Sequence, residues 1–395
     1  MGNKITKDFL RREFEELKND MNQGNIPKVA AEYKERLNEM EKLPFNIAIT
    51  GQTGSGKSSF VNAFRGINDD DDGAAKVGPV EETMKPEVYP HPSFPNIKLW
   101  DLPGIGTPTF QATEYLKKVQ FERYDVVIIV ISDRFTENDA LLAKEIERRR
   151  KKFYYVRTKI DACIEAERRK RTFNLEQTLE NSRNYCEDSL KKATKLSARV
   201  FLVSNLHAHM YHFPLLQEKI ATELPDYKKH VLRLAVHVFS ENELMKKKEL
   251  MKAYIKKIAW VSCACGAVPL PGLSIACDVG ILIDALRRFC HVFGLDDRSL
   301  HFLALQTGKE FEELRSAIKK TPLANTINTE LVFSLLMKSS LWVTVSVVEL
   351  ALDVIPVIGS LFGGASSYLV TCHFLNSFLD DAVEDAQNVL AKLLE

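Results

Sequence analysis

At 395 residues the chain has room for two or three domains and for a core that needs no disulfide staples. Its 54 Lys plus Arg against 53 Asp plus Glu leave a net charge of +1, without the sustained basic excess by which a nucleic-acid binder neutralises phosphates, so no nucleic-acid partner is expected. The 45% hydrophobic and 27% charged composition excludes a disordered chain and a polytopic membrane protein. Seven cysteines, with no CxxC pair and no signal peptide ahead of them, read as buried thiols of a reducing, cytosolic protein.

From Phe9 to Met40 the chain is rich in Glu, Lys, Arg and Leu, with Phe14, Leu17 and Met21 at helical spacing and a break at Gly24 and Pro27. This predicts two short helices within residues 1–43. Next, FNIAIT, IKLWDL, VVIIVIS, FYYVRT and RVFLVS are short β-branched or aromatic runs separated by helix-like segments. Their alternation predicts an α/β domain over 44–224, a mainly parallel sheet with helices on both faces. From Pro225 onward the strand signal fades, and Leu250, Tyr254 and Ile258, with Met251 and Ile255, follow the helical period, so 225–395 should be all helical. The acidic run Asp69 to Asp72 reads as a solvated loop.

GQTGSGKSS follows FNIAIT directly and matches GxxxxGK[ST] from Gly51 to Ser58, in the strand, loop, helix context that the motif requires. Gly51, Gly54 and Gly56 let backbone N–H groups turn toward phosphate oxygens, and the helix that follows adds its positive dipole end. Gln52, Thr53, Ser55 and Ser59 complete the expected phosphate-binding run. Lys57, placed in a surface loop, should span the β- and γ-phosphates, and Ser58 should ligate Mg²⁺. After the next strand, DLPG puts Asp101 where it can hold Mg²⁺ through water and Gly104 where it can meet the γ-phosphate. Thr158, Lys159 and Asp161 of TKID decide the base, because a carboxylate accepts from guanine N1–H and its 2-amino group, and adenine has neither donor. Lys159 should lie along the purine, and Ser204-Asn205 should contact guanine O6 and brace Asp161. Four motifs in this order, each at the carboxyl end of a predicted strand, predict a site for GTP and GDP with Mg²⁺.

These motifs, together with VGPVEETMKPEVYPHPSFPNIKLWDLPGIGT, YYVRTKIDA, FLVSN and VFGLDDRSL, resemble the interferon-inducible immunity-related GTPases. The resemblance extends over nearly the whole chain, as far as DDAVEDAQNVL. It implies a Ras-like P-loop GTPase domain inserted into a helical domain formed by both termini. It also implies GTP hydrolysis and action on intracellular membranes in defence against vacuolar pathogens. Lys57 groups the chain with members bearing GKS rather than with the regulatory members bearing GMS, which become expected partners; a testis-type role stays open beside the immune one. Ras-type enzymes orient the attacking water with a Gln directly after the DxxG glycine, where this chain has Ile105, and isoleucine cannot do this. The resemblance points instead to Glu81 of VEET as the catalytic residue beside Lys57, approaching the nucleotide when two GTPase domains face each other in a homodimer or oligomer. Thr83 matches a family threonine implicated in contacts across that dimer, and Val77 stands where the family has its switch threonine. On the residues alone, Glu81 and Glu82 read equally well as a solvated charge pair in a loop.

His207, His209 and His212 form HxHxxH in the predicted loop near the guanine, but no carboxylate or cysteine completes a metal site, so packing histidines are expected. Two apolar stretches, Ala259 to Cys277 and Val354 to Leu375, are interrupted by Pro and Gly, which favours a buried helical hairpin over membrane insertion. MGNKIT fits the pattern for N-myristoylation at Gly2. A single chain binds bilayers only marginally, and Lys4, Lys7, Arg11 and Arg12 supply a weak second signal. The expected location is cytoplasmic, peripheral to endoplasmic reticulum, Golgi or a pathogen vacuole. A nucleotide-gated scaffold with negligible hydrolysis is the competing reading, since the missing Gln permits either.

Overall fold

The computed structural model describes residues 44–78, 83, 85–105, 111–132, 135–194, 199–266, 273–338 and 356–395. The helices expected within 1–43, Gly2, Glu81 and Glu82 lie outside the described residues.

Strands β1 (Phe45–Gly51), β2 (Glu87–Pro90), β3 (Ile97–Asp101), β4 (Val126–Ile131), β5 (Phe153–Arg157) and β6 (Val200–Leu202) form one sheet in the order β2-β3-β1-β4-β5-β6. All pairings are parallel except β2 with β3. β4 lies in the middle with every residue buried, which is why it reads as the unbroken apolar run VVIIVI. β2 was not expected: EVYP is short, mostly exposed and ends in proline, so it carries no apolar alternation and becomes a strand only by pairing with β3 at the sheet edge.

The sheet's two faces follow the period of two. Val127, Ile129 and Ile131 of β4 join Ala48 and Tyr155 in a core with Tyr115 and Leu116 of α2 (Ala112–Lys118) and Leu142 and Ile146 of α3 (Glu137–Arg148). Ile160 and Ile164 of α4 (Ile160–Arg168) and Leu190 of α5 (Leu175–Thr194) complete it. Elsewhere Phe60 and Phe64 of α1 (Lys57–Arg65) pack on Phe213 of α6 (Phe213–Glu223), with ring centroids 5.4 and 6.3 Å away. This unit comprises Leu43–Val236 and Phe302–Lys309, so the boundary falls about a dozen residues beyond 224 and α7 (Asp226–Ala235) belongs with the sheet.

The described remainder is helical: α8 (Glu241–Gly266), α9 (Leu273–Phe293), α11 (Phe311–Ser316), α12 (Thr329–Lys338) and α13 (Pro356–Leu394). Helix α10 (Asp297–Thr307) contributes its first residues here and its last turns to the sheet-bearing unit. Met251, Ile255, Ile258 and Ala259 of α8 are buried, Ser262 and Thr371 pair their hydroxyls at 3.0 Å between α8 and α13, and Phe289 meets Phe378 at 6.1 Å. Side chains of both apolar stretches are buried in these helices, Ala259, Val261 and Ser262 from one and Thr371, Phe374 and Leu375 from the other, and among the described residues no helix is long and apolar enough to cross a membrane. Cys186 and Cys290 are buried free thiols as expected, whereas Cys163 and Cys372 are only half-buried.

One side chain fixes the turn after α11. Asp385, on α13 and fully buried, accepts hydrogen bonds from Lys319 N at 2.9 Å, Lys320 N at 2.9 Å, Thr321 N at 2.7 Å and Thr321 Oγ1 at 2.7 Å. Asp385→Ala would strand three backbone donors, and the full chain should lose roughly 3 kcal/mol in urea unfolding. A loss within about 0.5 kcal/mol would show that water replaces the carboxylate at little cost.

Candidate nucleotide site

β1 delivers the chain to Gly51, which has φ 138 and lies opposite Val130 of β4. A Cβ there would sit 2.0 Å from the Val130 carbonyl oxygen, so only glycine fits. The loop turns through a hydrogen bond from Ser55 N to Gln52 O at 3.2 Å and enters α1 through Gly56, left-handed at φ 85. Thr53 and Gly54 are exposed at its tip. Lys57 departs from the expected surface loop. It is the first residue of α1 and only 7% exposed, because its stem folds back over the loop and Nζ donates to Gln52 O at 2.9 Å.

Three consecutive carbonyls of this loop are held from the ends of β5 and β6. Lys159 Nζ donates to Gly54 O at 2.9 Å, Thr158 Oγ1 to Ser55 O at 2.6 Å, and Asn205 Nδ2 to Gly56 O at 3.0 Å. In a trans peptide the carbonyl and the following N–H point opposite ways, so drawing the Ser55 and Gly56 carbonyls outward turns the Gly56 and Lys57 N–H groups into the hollow of the loop. That is the arrangement a phosphate needs. Lys159 reaches Gly54 from a left-handed backbone at φ 56, and Asp161 follows, half-buried, in the first turn of α4. The motif residues that should read the base and those that should bind phosphate are thus one bonded structure. Ser59 is half-buried in the first turn of α1.

At the end of β3, Asp101 is buried, and its Oδ2 accepts from Ser58 Oγ at 2.6 Å and from Thr83 Oγ1 at 3.0 Å. Its Oδ1 is buried with no partner among the described residues. Burial pushes this carboxyl above the ordinary range, against the pull of the Ser58 hydroxyl, the Lys57 charge and the Thr83 hydroxyl. One carboxylate, whose Oδ1 has no partner among the described residues, and two hydroxyls make an all-oxygen donor set of the kind Mg²⁺ takes, with waters completing its shell. Thr83 is 8% exposed and Val77 47% exposed. The hydroxyl upstream of Asp101 therefore comes from Thr83, and the valine at the expected switch position faces solvent. The pattern of spacing hid this because a threonine six residues later reaches the same carboxylate.

Ile105, in the place of the water-orienting Gln, is fully buried in the sheet's core. Its N–H donates to Gly51 O at 3.2 Å and its carbonyl accepts from Asn138 Nδ2 at 2.8 Å, next to a half-buried Gly104. Pro103 O accepts from Tyr115 OH at 3.0 Å; since that uses the phenol's hydrogen, Thr50 Oγ1 is the donor to Tyr115 at 2.7 Å. Among the histidines, His212 Nδ1 accepts from Leu202 N at 3.1 Å and Nε2 lies 2.7 Å from Arg183. Burial, with Arg183 and Arg199 nearby, pushes it down to about 4, so it is a neutral packing residue. Ser204 is buried beside Asn205, and Gln306, 101 residues downstream, bonds the Asn205 carbonyl. No motif marks Gln306.

Residues 11–393 match the family model described as interferon-inducible GTPase. The chain is 41% identical to interferon-inducible GTPase 5 of Rattus norvegicus over 98% of its own length and 84% of that protein. It is 34% identical to interferon-gamma-inducible GTPase 10 of Mus musculus over 98% and 90%, and 36% identical to interferon-inducible GTPase 1 of Mus musculus over 76% and 73%.

Thr158→Val preserves shape and deletes the 2.6 Å bond to Ser55 O. Guanine-nucleotide affinity by calorimetry should fall about tenfold, and the melting temperature should drop by a few degrees because the Ser55 carbonyl is left buried without this donor. Wild-type affinity would mean that these side chains do not shape the phosphate loop.

Proposed function

We propose that this chain, which belongs to the interferon-inducible GTPase family and hydrolyses GTP, does so as an assembly on intracellular membranes, in cell-autonomous defence against vacuolar pathogens. The observation that carries the assembly is Ile105. Its side chain is committed to the core and both its backbone groups are bonded, so this position offers nothing to orient water. The group that does so must come from elsewhere. Glu81, two residues before Thr83 in the sequence, is our candidate. A carboxylate accepts a hydrogen bond from water but brings negative charge toward a triphosphate, so contacts from a second molecule are needed to hold it there.

Within one molecule the roles divide by position. Lys57 and the loop Gly51–Ser59 hold the phosphates, Lys57 spanning the β and γ groups. Ser58, Thr83 and Asp101 would surround Mg²⁺, which when bound spreads the charge that develops on the phosphate oxygens. Gly104 faces the γ-phosphate. Thr158 and Lys159 fix the loop, Asp161 takes both donors of the guanine edge, and Ser204-Asn205 present a backbone N–H to O6. Acylation at Gly2, with the basic residues Lys4, Lys7, Arg11 and Arg12, would bring the protein to endoplasmic reticulum, Golgi or a pathogen vacuole from the cytoplasm, with GMS-bearing family members as regulatory partners.

Two measurements test this reading. Asp161→Asn replaces a double acceptor by a group that also donates, so competition binding should move from GTP toward XTP, and an undiminished preference for GTP would remove Asp161 from the base. Phosphate release per molecule should rise with protein concentration, and Glu81→Ala should abolish the rise while GTP binding persists. A flat wild-type profile would sink the assembly; a rise kept in Glu81→Ala and lost in Glu82→Ala would move the role to Glu82.

A further inference from the structure

The guanine-side loop is anchored by a residue that belongs to none of the nucleotide motifs. Gln306 lies near the end of α10, in the segment Phe302–Lys309 of the sheet-bearing unit, and is 7% exposed. Its Nε2 donates to Asn205 O at 3.3 Å, and its Oε1 accepts from Ala208 N at 2.5 Å. One buried carboxamide therefore bridges two points of the loop three residues apart. Its own carbonyl lies 3.3 Å from His207 Nδ1, which must be the donor because a carbonyl only accepts.

The bridge ties down the side of the loop that adjoins Asn205. Leu206 is 62% exposed, and the next internal bonds are Met210 N to His207 O and His212 N to Leu202 O, both 2.9 Å, at the far side of the loop. Asn205 is gripped twice. Its side chain is tied to Gly56 O and its carbonyl to Gln306, so the peptide that follows it is held in one orientation. The N–H that shares this peptide plane is set with it, because each peptide is rigid, and the Asn205 side-chain bond anchors the residue from which it projects.

We propose that Gln306 is the positioning residue of the guanine-side loop: by bridging Asn205 O and Ala208 N it aims the loop's N–H at base O6 and sets how long the nucleotide stays bound. The inference rests on the guanine-site reading of Ser204-Asn205. It assigns control of nucleotide release to a residue outside the sequence-contiguous GTPase motifs.

The test compares release of GDP and of 6-thio-GDP from the full chain. The thio analogue keeps N1–H and the 2-amino group but offers sulfur, a weak acceptor, at position 6. Gln306→Met keeps the unbranched bulk and removes both bonds. GDP release should accelerate about tenfold, while 6-thio-GDP release, already deprived of that contact, should change by less than about twofold. Unchanged GDP release overturns the proposal. So does an equal acceleration of both nucleotides, which is what a merely structural role would give. If the wild type releases GDP and 6-thio-GDP alike, the O6 contact itself is absent and the guanine-site reading falls first. Should Gln306→Met not fold, Gln306→Glu, which keeps the acceptor for Ala208 N and loses the donor to Asn205, decides by the same comparison.

Discussion

The site depends on the fixing of three successive carbonyls, Gly54, Ser55 and Gly56, by Lys159, Thr158 and Asn205. A glycine-rich loop alone is only permissive, since Gly51 and Gly56 make unusual backbone angles possible without selecting one. Donors from the ends of two other strands make the selection. Each bond is modest, but each removes a backbone freedom that would otherwise have to be frozen when phosphate binds, and ordering one residue costs about 1–2 kcal/mol. The parallel sheet makes this possible: β1, β4, β5 and β6 end on the same side, so residues more than a hundred positions apart reach one loop.

The same geometry explains why the position after Gly104 is not catalytic. β1 pairs with β3, and Leu102 N continues that contact by donating to Ile49 O at 3.0 Å. Ile105 N then reaches back to Gly51 O, which pulls the chain over the sheet and buries the isoleucine. A glutamine here would have to leave that packing to meet water. Loss of a water-orienting side chain and gain of core packing are one structural event, with Asn138 bonding the carbonyl so that the turn is closed.

Much of this was legible in the sequence because the informative residues are local. Glycine spacing, a lysine and a hydroxyl immediately after it, and a carboxylate at a strand end each carry their meaning within a few positions, and the apolar runs gave every parallel strand. What stayed hidden is non-local. β2 exists only through its partner β3; Thr83 is named by the resemblance, but its place on Asp101 is identifiable only from the 3.0 Å approach; Lys57 is buried only because its own loop folds beneath it. Gln306 is the extreme case, a glutamine in HFLALQTG whose role is fixed by a loop 101 residues earlier. Side-chain bonds to backbone need no residue pattern at the accepting end, so spacing cannot announce them.

Those long-range bonds leave an uneven balance around the loop. Ser55 Oγ, Ser204 Oγ, Asn205 Oδ1 and Asp101 Oδ1 are buried with no partner among the described residues, while the atoms beside them are bonded. An unsatisfied buried polar group costs about 1–3 kcal/mol. Such a cost is tolerated where the surrounding structure over-determines it, and the carbonyl bonds do so here. Any ligand that satisfies these atoms recovers the cost as binding energy and stabilises the folded state by linkage. The loop is thus held in a shape that leaves these four polar atoms unpaired, and the same rigidity that prevents them from relaxing toward other partners would make a ligand that reaches them bind selectively.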